Sequence, residues 1–223
     1  MLELFKHSLI FLYMNKIYVL LLFVLFSLSG YGQVRKVYFD EKERVTTDST
    51  QAASYGIYGF VSGENLWVFK KYDSDGYMMT SGAFRDSTLQ IPEGKFVYYD
   101  WVDPNDGFRQ LELYQAGKER YITMSGHFVQ GKQHGQWLSY YVDGSVKNVV
   151  NYEKGVLNGP FKSFNRDGDL VETGQFLNGK REGKWIADGG LKITTYREDQ
   201  VISVEKKSKR QFREEQQKQK SGL

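Results

Sequence analysis

Residues 179–185 form the run that comes nearest to a phosphate-binding loop. Two glycines, Gly179 and Gly183, bracket a basic pair, and Lys184 follows them. A phosphate-binding loop needs four residues between its glycines, a Ser or Thr after its lysine, and a helix whose N-terminus faces the phosphates. Here three residues separate the glycines, and Trp185 occupies the hydroxyl position. A turn between two strands explains this run better than a nucleotide site does.

Two histidines, His127 and His134, are the candidates for metal binding or general base catalysis after the first 32 residues. A zinc site uses three or four converging ligands, and the chain has no cysteine that could complete one. No Gly-x-Ser-x-Gly elbow marks a nucleophilic serine. Surface positions on a hairpin explain the pair, so we predict neither a metal nor a cofactor.

Acidic residues cluster at two turn-like sites that could hold calcium weakly, namely residues 73–76 and the run that contains Asp103 and Asp106. An EF-hand needs a loop of twelve residues that ends in a glutamate, and neither site has one. Asp and Asn are also common in turns, because their side chains hydrogen-bond to the nearby backbone. Turn formation therefore accounts for both clusters.

Glu93 and Glu182 could in principle form the carboxylate pair of a glycosidase. Both glutamates directly precede a Gly-Lys-aromatic sequence, which places them at equivalent positions of a repeat. Equivalent surface positions explain them better than one shared site. We therefore predict that the protein is not an enzyme.

The element that carries these residues is a repeat of 24 residues between Phe128 and Trp185. The chain is 16% aromatic and has 23 glycines, as short strands and tight turns require. Self-similarity at such a period indicates units that bury their apolar faces against their neighbours. The recurring positions are Phe128, Tyr152 and Phe176; Gly131, Gly155 and Gly179; Gly135, Gly159 and Gly183; and Trp137, Phe161 and Trp185.

Each unit is predicted to contain two short strands and two turns of an antiparallel meander. A glycine-bounded loop, as at residues 131–135, gives one turn. Asp-Gly, as at Asp143 and Gly144, gives the other, since this pair between extended runs favours a two-residue hairpin. Each aromatic series is then expected to form its own ladder along the sheet. Because Trp137 and Tyr140 have opposite parity, either both faces are covered or a bulge intervenes.

This pattern, aromatic-x-x-Gly-Lys-x-x-Gly-x-Trp-x-x-Tyr-x-x-Asp-Gly, resembles the MORN repeat, in the bacterial variant found in exported proteins and in a family labelled as toxin–antitoxin antitoxins. The resemblance covers about residues 67–193, closely in three units. It implies an all-β fold, in which successive hairpins form one elongated, twisted antiparallel sheet like a solenoid. It also implies scaffolding or partner binding, and it brings no catalytic residues.

Residues 1–32 are predicted to form a signal peptide, with Met14 as the true start. The apolar stretch at residues 17–28 follows a lysine, and Gly30 and Gly32 suit a cleavage site. An uncleaved anchor is the alternative, although a span needs about 20 apolar residues. Cleavage would export the protein to the periplasm or the extracellular space, where a chain without cysteine forms no disulfide.

The rest of the chain divides into three predicted regions. Residues 33–66 are lead-in strands that cover the first edge of the array, and residues 67–204 are the hairpin repeats. Residues 205–223 form a charged tail, which is either disordered or a short helix that caps the last edge.

The period breaks at residues 101–107, where a longer hairpin tip is predicted to replace a short turn. Insertions in a repeat array project from one face, which is often the binding face. Trp101, Asp103 and Asp106 are therefore the candidate partner contacts. The alternative for Trp101 is that its ring packs the hairpin onto a neighbouring strand.

The formal net charge is +3, and the basic excess lies in the tail. A near-neutral body disfavours nucleic acid, because phosphate binding needs a concentrated basic face. We predict a non-catalytic exported repeat protein that acts as a scaffold or binds a partner, which is most simply another protein. The alternatives are an antitoxin or immunity-like protein, and a secreted protein that binds glycans, a membrane surface or calcium.

Overall fold

The computed structural model describes residues 34–221, which form one open antiparallel sheet of fifteen strands. The prediction of an all-β hairpin meander is therefore confirmed. The predicted signal peptide lies outside the described residues. The strands are β1 (Arg35–Phe39), β2 (Val45–Thr46), β3 (Ser54–Val61), β4 (Leu66–Asp73), β5 (Met78–Phe84), β6 (Pro92–Trp101), β7 (Arg120–Val129), β8 (Lys132–Tyr140), β9 (Val146–Glu153), β10 (Val156–Leu157), β11 (Gly159–Phe164), β12 (Leu170–Leu177), β13 (Lys180–Ala187), β14 (Lys192–Arg197) and β15 (Gln200–Lys206).

From β3 to β15 the neighbours in the sheet follow the order of the chain, except that the short β10 pairs beside β9. At the N-terminal end β1 lies between β3 and β2, so the two-residue β2 forms that edge. Two α-helices, α1 (Phe108–Gln115) and α2 (Lys209–Ser221), and two single 3-10 turns, Ser49–Gln51 and Asp188–Gly190, complete the described chain. The array thus ends at Lys206 rather than at residue 204. The tail has the short helix.

The first glycine of each repeat lies in a two-residue turn. Gln130 has φ 51° and Gly131 has φ 79°, and Lys154-Gly155 and Asn178-Gly179 repeat this pair of positive values. Two successive positive φ angles define the type I′ turn, whose twist matches that of the flanking strands. The predicted loop at residues 131–135 is therefore wrong, because β8 begins directly after the turn.

The Asp-Gly turns also differ from the prediction, since they contain three residues rather than two. The amide of Tyr141 donates to Ser145 O at 2.8 Å, and the amide of Gly144 donates to Tyr141 O at 2.9 Å. Only the glycine has a positive φ here, at 94°. This is a type I turn followed by a left-handed glycine. The Asp143 carboxylate favours it by accepting the Ser145 amide at 2.9 Å.

In the first and third repeats, the second glycine begins a bulge that places a tryptophan ring over the neighbouring strand. Between the pairs Ser125–Leu138 and His127–His134, three residues of β8 face Gly126 alone. Gly135 starts this bulge with φ 66°. A Cβ atom at Gly126 would lie 2.1 Å from the Trp137 ring, so only glycine fits beneath it.

The same arrangement of a ring over a glycine recurs along the sheet. A Cβ atom would lie 2.2 Å from the Trp185 ring at Gly174 and 2.5 Å from the Phe96 ring at Gly82. This third glycine series was missed by the sequence reasoning. The signal was present as Gly-x-Phe, which ends at Phe84, Phe128 and Phe176, whereas Val150 replaces the glycine before Tyr152.

A second register shift lies beside Tyr140, but it does not bring Tyr140 to the face of Trp137. The pairing of β8 with β9 shifts register between Ser139 and Tyr140. An equivalent shift follows Ser163 in β11 and Lys71 in β4. The extra residue is Lys147 in β9, so Trp137 and Tyr140 lie on opposite faces of β8. The Tyr140 hydroxyl lies 3.0 Å from Ser125 Oγ on the second face, so the alternative of a bulge between the two rings is wrong.

The core is a row of rings along one face. Adjacent strands alternate in supplying the two aromatic series, so these series share one row rather than form two ladders. The centroids of successive rings lie 4.9–6.5 Å apart from Phe39 through Phe69, Phe84, Phe96, Phe128 and Trp137 to Tyr152. A second run joins Phe161, Phe176, Trp185 and Tyr196 at 5.1–6.0 Å.

Candidate functional site

The connection between β6 and β7, residues 102–119, contains a helix where a long hairpin tip was predicted. Helix α1 begins after Gly107, whose φ is 87°. Its sequence is rich in residues with high helix propensity and has neither glycine nor proline. Eight residues are too few to show a helical period, so the pattern gave no signal. We call residues 102–119 the insertion.

Asp103 and Asp106 are both exposed, and their hydrogen bonds hold the insertion in shape. The Asp103 amide donates to Gln110 Oε1 at 3.1 Å, and the side-chain amide of Gln110 donates to Asp106. The Asp103 carboxylate accepts the amide of Asn105 at 2.8 Å. Nowhere in residues 34–221 do three His, Cys, Asp or Glu side chains gather as a metal site would require. Turn and helix stabilisation explains both aspartates.

An ion pair fixes α1 to the body of the sheet. Arg109 lies 2.9 Å from Asp143, which belongs to the turn between β8 and β9. Burial raises the pKa of the Asp143 carboxyl, but hydrogen bonds from Ser145 and the charge of Arg109 outweigh it, so the pKa lies below its usual value. Val102, at the start of the insertion, and Val142, next to Asp143, are both buried. The insertion is therefore attached to the sheet at its base.

The outer side of α1 is apolar and exposed. Phe108 is 75% exposed, Tyr114 45% and Leu111 36%. A phenylalanine this exposed has its hydrophobic surface in water, which is unfavourable unless another molecule covers it. Phe108 is thus the most exposed phenylalanine among the residues described, and the ion pair of Arg109 with Asp143 fixes the helix that carries it.

Trp101 ends β6 at the base of the insertion, where it both packs and remains accessible. Its ring lies 4.5 Å from that of Tyr77, and the Arg120 guanidinium is 4.7 Å from its centroid. Arg120 pairs in turn with Asp73 at 3.1 Å. The Trp101 ring therefore packs on its neighbours, as the alternative interpretation proposed. It is nevertheless 40% exposed to solvent. The negative charge of Glu119 raises the pKa of Tyr77 beside it.

The two histidines and the two glutamates do not come together in one site. His127 and His134 face each other across β7 and β8, and both are exposed. Glu93 on β6 pairs with Arg85 at 2.8 Å, whereas Glu182 on β13 accepts the amide of Glu198 at 2.9 Å. Six strand spacings separate β6 from β13, or about 29 Å. A glycosidase needs its two carboxyls within about 10 Å.

The run that resembled a phosphate loop begins in the β12–β13 turn and continues along β13. Residues 178–179 form the turn, and Lys180 pairs with Glu198 at 3.3 Å. No helix follows the second glycine, since β13 continues to Ala187. The turn interpretation therefore agrees with the structure.

Comparisons with known proteins show no family. No family model matches the chain, and no curated protein matches it either. Among solved structures, the crystal structure of a GtfA/B complex bound to UDP and GlcNAc is similar at a TM-score of 0.26 and 10% identity. The match covers 69% of this chain but 25% of that one, so the chain spans about a quarter of its length. A likeness this weak carries no argument. Neither described helix has the length and apolar character that crossing a membrane requires.

Proposed function

We propose that the protein is a non-catalytic exported repeat protein whose sheet presents the insertion to a protein partner. The observation that carries this proposal is the exposed apolar side of α1. Phe108 and Leu111 lie one helical turn apart, and Arg109 between them anchors the helix to Asp143. Apolar residues on a fixed support are typical of the centre of a protein interface.

The base of the insertion offers further accessible aromatic surface. Trp101 and Tyr77 are both about two-fifths exposed, and their rings contact each other. Trp, Tyr and Arg are the residues most enriched among those that dominate binding energies. Arg120, stacked on Trp101, supplies the third of these types.

The repeats themselves are proposed to be of the MORN type and to act as the scaffold. Their 24-residue period, paired glycines and stacked rings support this assignment. Export through a cleaved signal peptide belongs to the same proposal. N-terminal sequencing of the secreted protein tests it, with Gln33 as the expected first residue.

Affinity capture tests partner binding at the insertion. The mature protein is immobilised and exposed to the envelope fraction of its source cells, and captured proteins are quantified by mass spectrometry. Replacement of both Phe108 and Leu111 with serine should abolish capture of the specific partner. The control replaces Leu170 and Val171, exposed to 46% and 44% in the regular repeats, and should leave capture unchanged. Equal capture by the two double variants would refute the proposal.

A further inference from the structure

A groove of about 540 Å³ lies on the ring-bearing face of the sheet near its N-terminal edge. Its volume falls within the range of about 300–1,000 Å³ that small-molecule sites occupy. The floor of the groove is lined by three rings of the core row, Phe69, Phe84 and Phe96. Two further rings, Tyr58 and Tyr98, also line it. Aromatic side chains thus form much of the lining of the groove.

Two loops form the walls, and one aspartate holds each of them in shape. Residues 40–44 join β1 to β2, and the Asp40 carboxylate accepts the amides of Lys42 and Arg44 at 2.9 and 3.0 Å. Residues 85–91 join β5 to β6, and the Asp86 carboxylate accepts the Ile91 amide at 2.7 Å. Loops that are already ordered lose little entropy when a ligand binds. The groove is therefore formed in advance.

One positive charge lies inside the groove. The side chain of Lys71 is 11% exposed, and its ammonium group lies 4.7 Å from the centroid of the Phe39 ring. Its ion-pair partner is Glu43, which belongs to the first wall and is 63% exposed. A buried ammonium needs a negative partner. An exposed carboxylate such as Glu43 can return to water at little cost, because most of its hydration is already in place.

We propose that this groove binds a small carboxylate with an apolar body, which replaces Glu43 as the counter-ion of Lys71. The rings take up the apolar body, and the ammonium group selects the carboxylate. Glu43 then acts as an internal competitor that occupies Lys71 while the groove is empty. This inference is independent of partner binding at the insertion, because the two surfaces share no residue.

Isothermal titration calorimetry on the full mature chain tests the proposal with 2-naphthoate and its neutral analogue 2-naphthamide. The two probes have nearly the same shape and differ in charge. Wild-type protein should bind 2-naphthoate about tenfold more tightly than 2-naphthamide, because a charged acceptor makes the stronger hydrogen bond to the ammonium group. Lys71→Met should remove this difference.

Lys70→Met is the matched control, because Lys70 is exposed and projects from the opposite face of the same strand. It should leave both affinities unchanged. Glu43→Gln removes the internal competitor and should tighten 2-naphthoate binding about threefold. This gain of affinity decides the question even if Lys71→Met folds poorly. Equal affinities for the two probes, no binding of either, or weaker binding by Glu43→Gln would overturn the proposal.

Discussion

The two halves of the sheet share one core but differ in how their strands are connected. In the regular half, β7 to β15, each connection has five residues or fewer. In the irregular half, β1 to β6 with the insertion, connections reach the eighteen residues 102–119. The arrangement of a ring over a glycine is nevertheless the same, with Gly82 beneath Phe96 and Gly126 beneath Trp137. The packing of the repeat has been kept while the connections have diverged.

This difference teaches where such a sheet can acquire function. Rings and glycines fix the spacing of neighbouring strands, so a loop can lengthen without disturbing them. The groove and the insertion both lie in the irregular half. Connections form the walls of the groove, and the insertion is itself a connection. In the proposed function, the regular half serves as support.

The largest expected effect compares two tryptophans, one from each half. Trp185 is 1% exposed, so Trp185→Ala should lower the free energy of unfolding by about 3–5 kcal/mol through the cavity that it leaves. Trp101→Ala should cost about 1 kcal/mol, because its ring is already 40% exposed. Chemical denaturation measures both. Similar losses would mean that the buried and accessible rings have been assigned wrongly.

The next effect tests whether the two halves share their packing. Gly126→Ala and Gly82→Ala should each cost about 2–3 kcal/mol, since the added methyl group would overlap the ring above it. Gly63 has open space around its Cβ position, so Gly63→Ala should change stability by less than about 0.5 kcal/mol. If Gly82→Ala were harmless and Gly126→Ala severe, the halves would not share one core.

A smaller effect concerns a wall of the groove and depends on pH. Burial raises the pKa of Asp86, but hydrogen bonds from Thr88, Gln90 and Ile91 lower it more, so the net pKa lies below its usual value. A depressed carboxyl pKa stabilises the fold above the unfolded value near 3.9, and this contribution is lost as pH falls through the folded pKa. Asp86→Asn should therefore cost about 1 kcal/mol near neutral pH and less near pH 3. Denaturation curves at the two pH values check this, and an equal cost at both would contradict it.

The smallest effect is expected at an exposed lysine of the regular half. Lys132 begins β8 on the surface, so Lys132→Ala should change the free energy of unfolding by less than about 0.5 kcal/mol. A loss above about 1 kcal/mol would indicate a tertiary role for this side chain.

The sequence predicted the regular half better than the irregular half, for a physical reason. Residues that recur at a fixed period occupy equivalent contacts between neighbouring units. The pattern therefore identified the sheet and buried rings such as Trp137 and Trp185. It did not predict the turn types. Both Asp143-Gly144 and Gln130-Gly131 are short turn sequences, and hydrogen bonds to the flanking residues decide which conformation each adopts.

The irregular half depends on contacts that no local pattern reports. Helix α1 is too short to show a period, and the ion pair of Arg109 with Asp143 spans 34 positions. The groove combines residues from Val37 to Tyr98. The two loops that form its walls have no distinctive sequence pattern. Their position beside the rings depends on the order and register of the strands that they connect.

Removal of the insertion tests most directly the claim that the regular sheet is the support and the insertion is the working surface. The Val102 amide donates to Glu119 O at 2.9 Å, so Asn-Gly can replace residues 103–118 as a type I′ turn across this pair. Capture of the specific envelope partner is then measured for the shortened and the full chain, with denaturation curves as the control for folding. The account predicts a folded, cooperative protein that no longer captures the partner. Undiminished capture by a folded, shortened chain would contradict it.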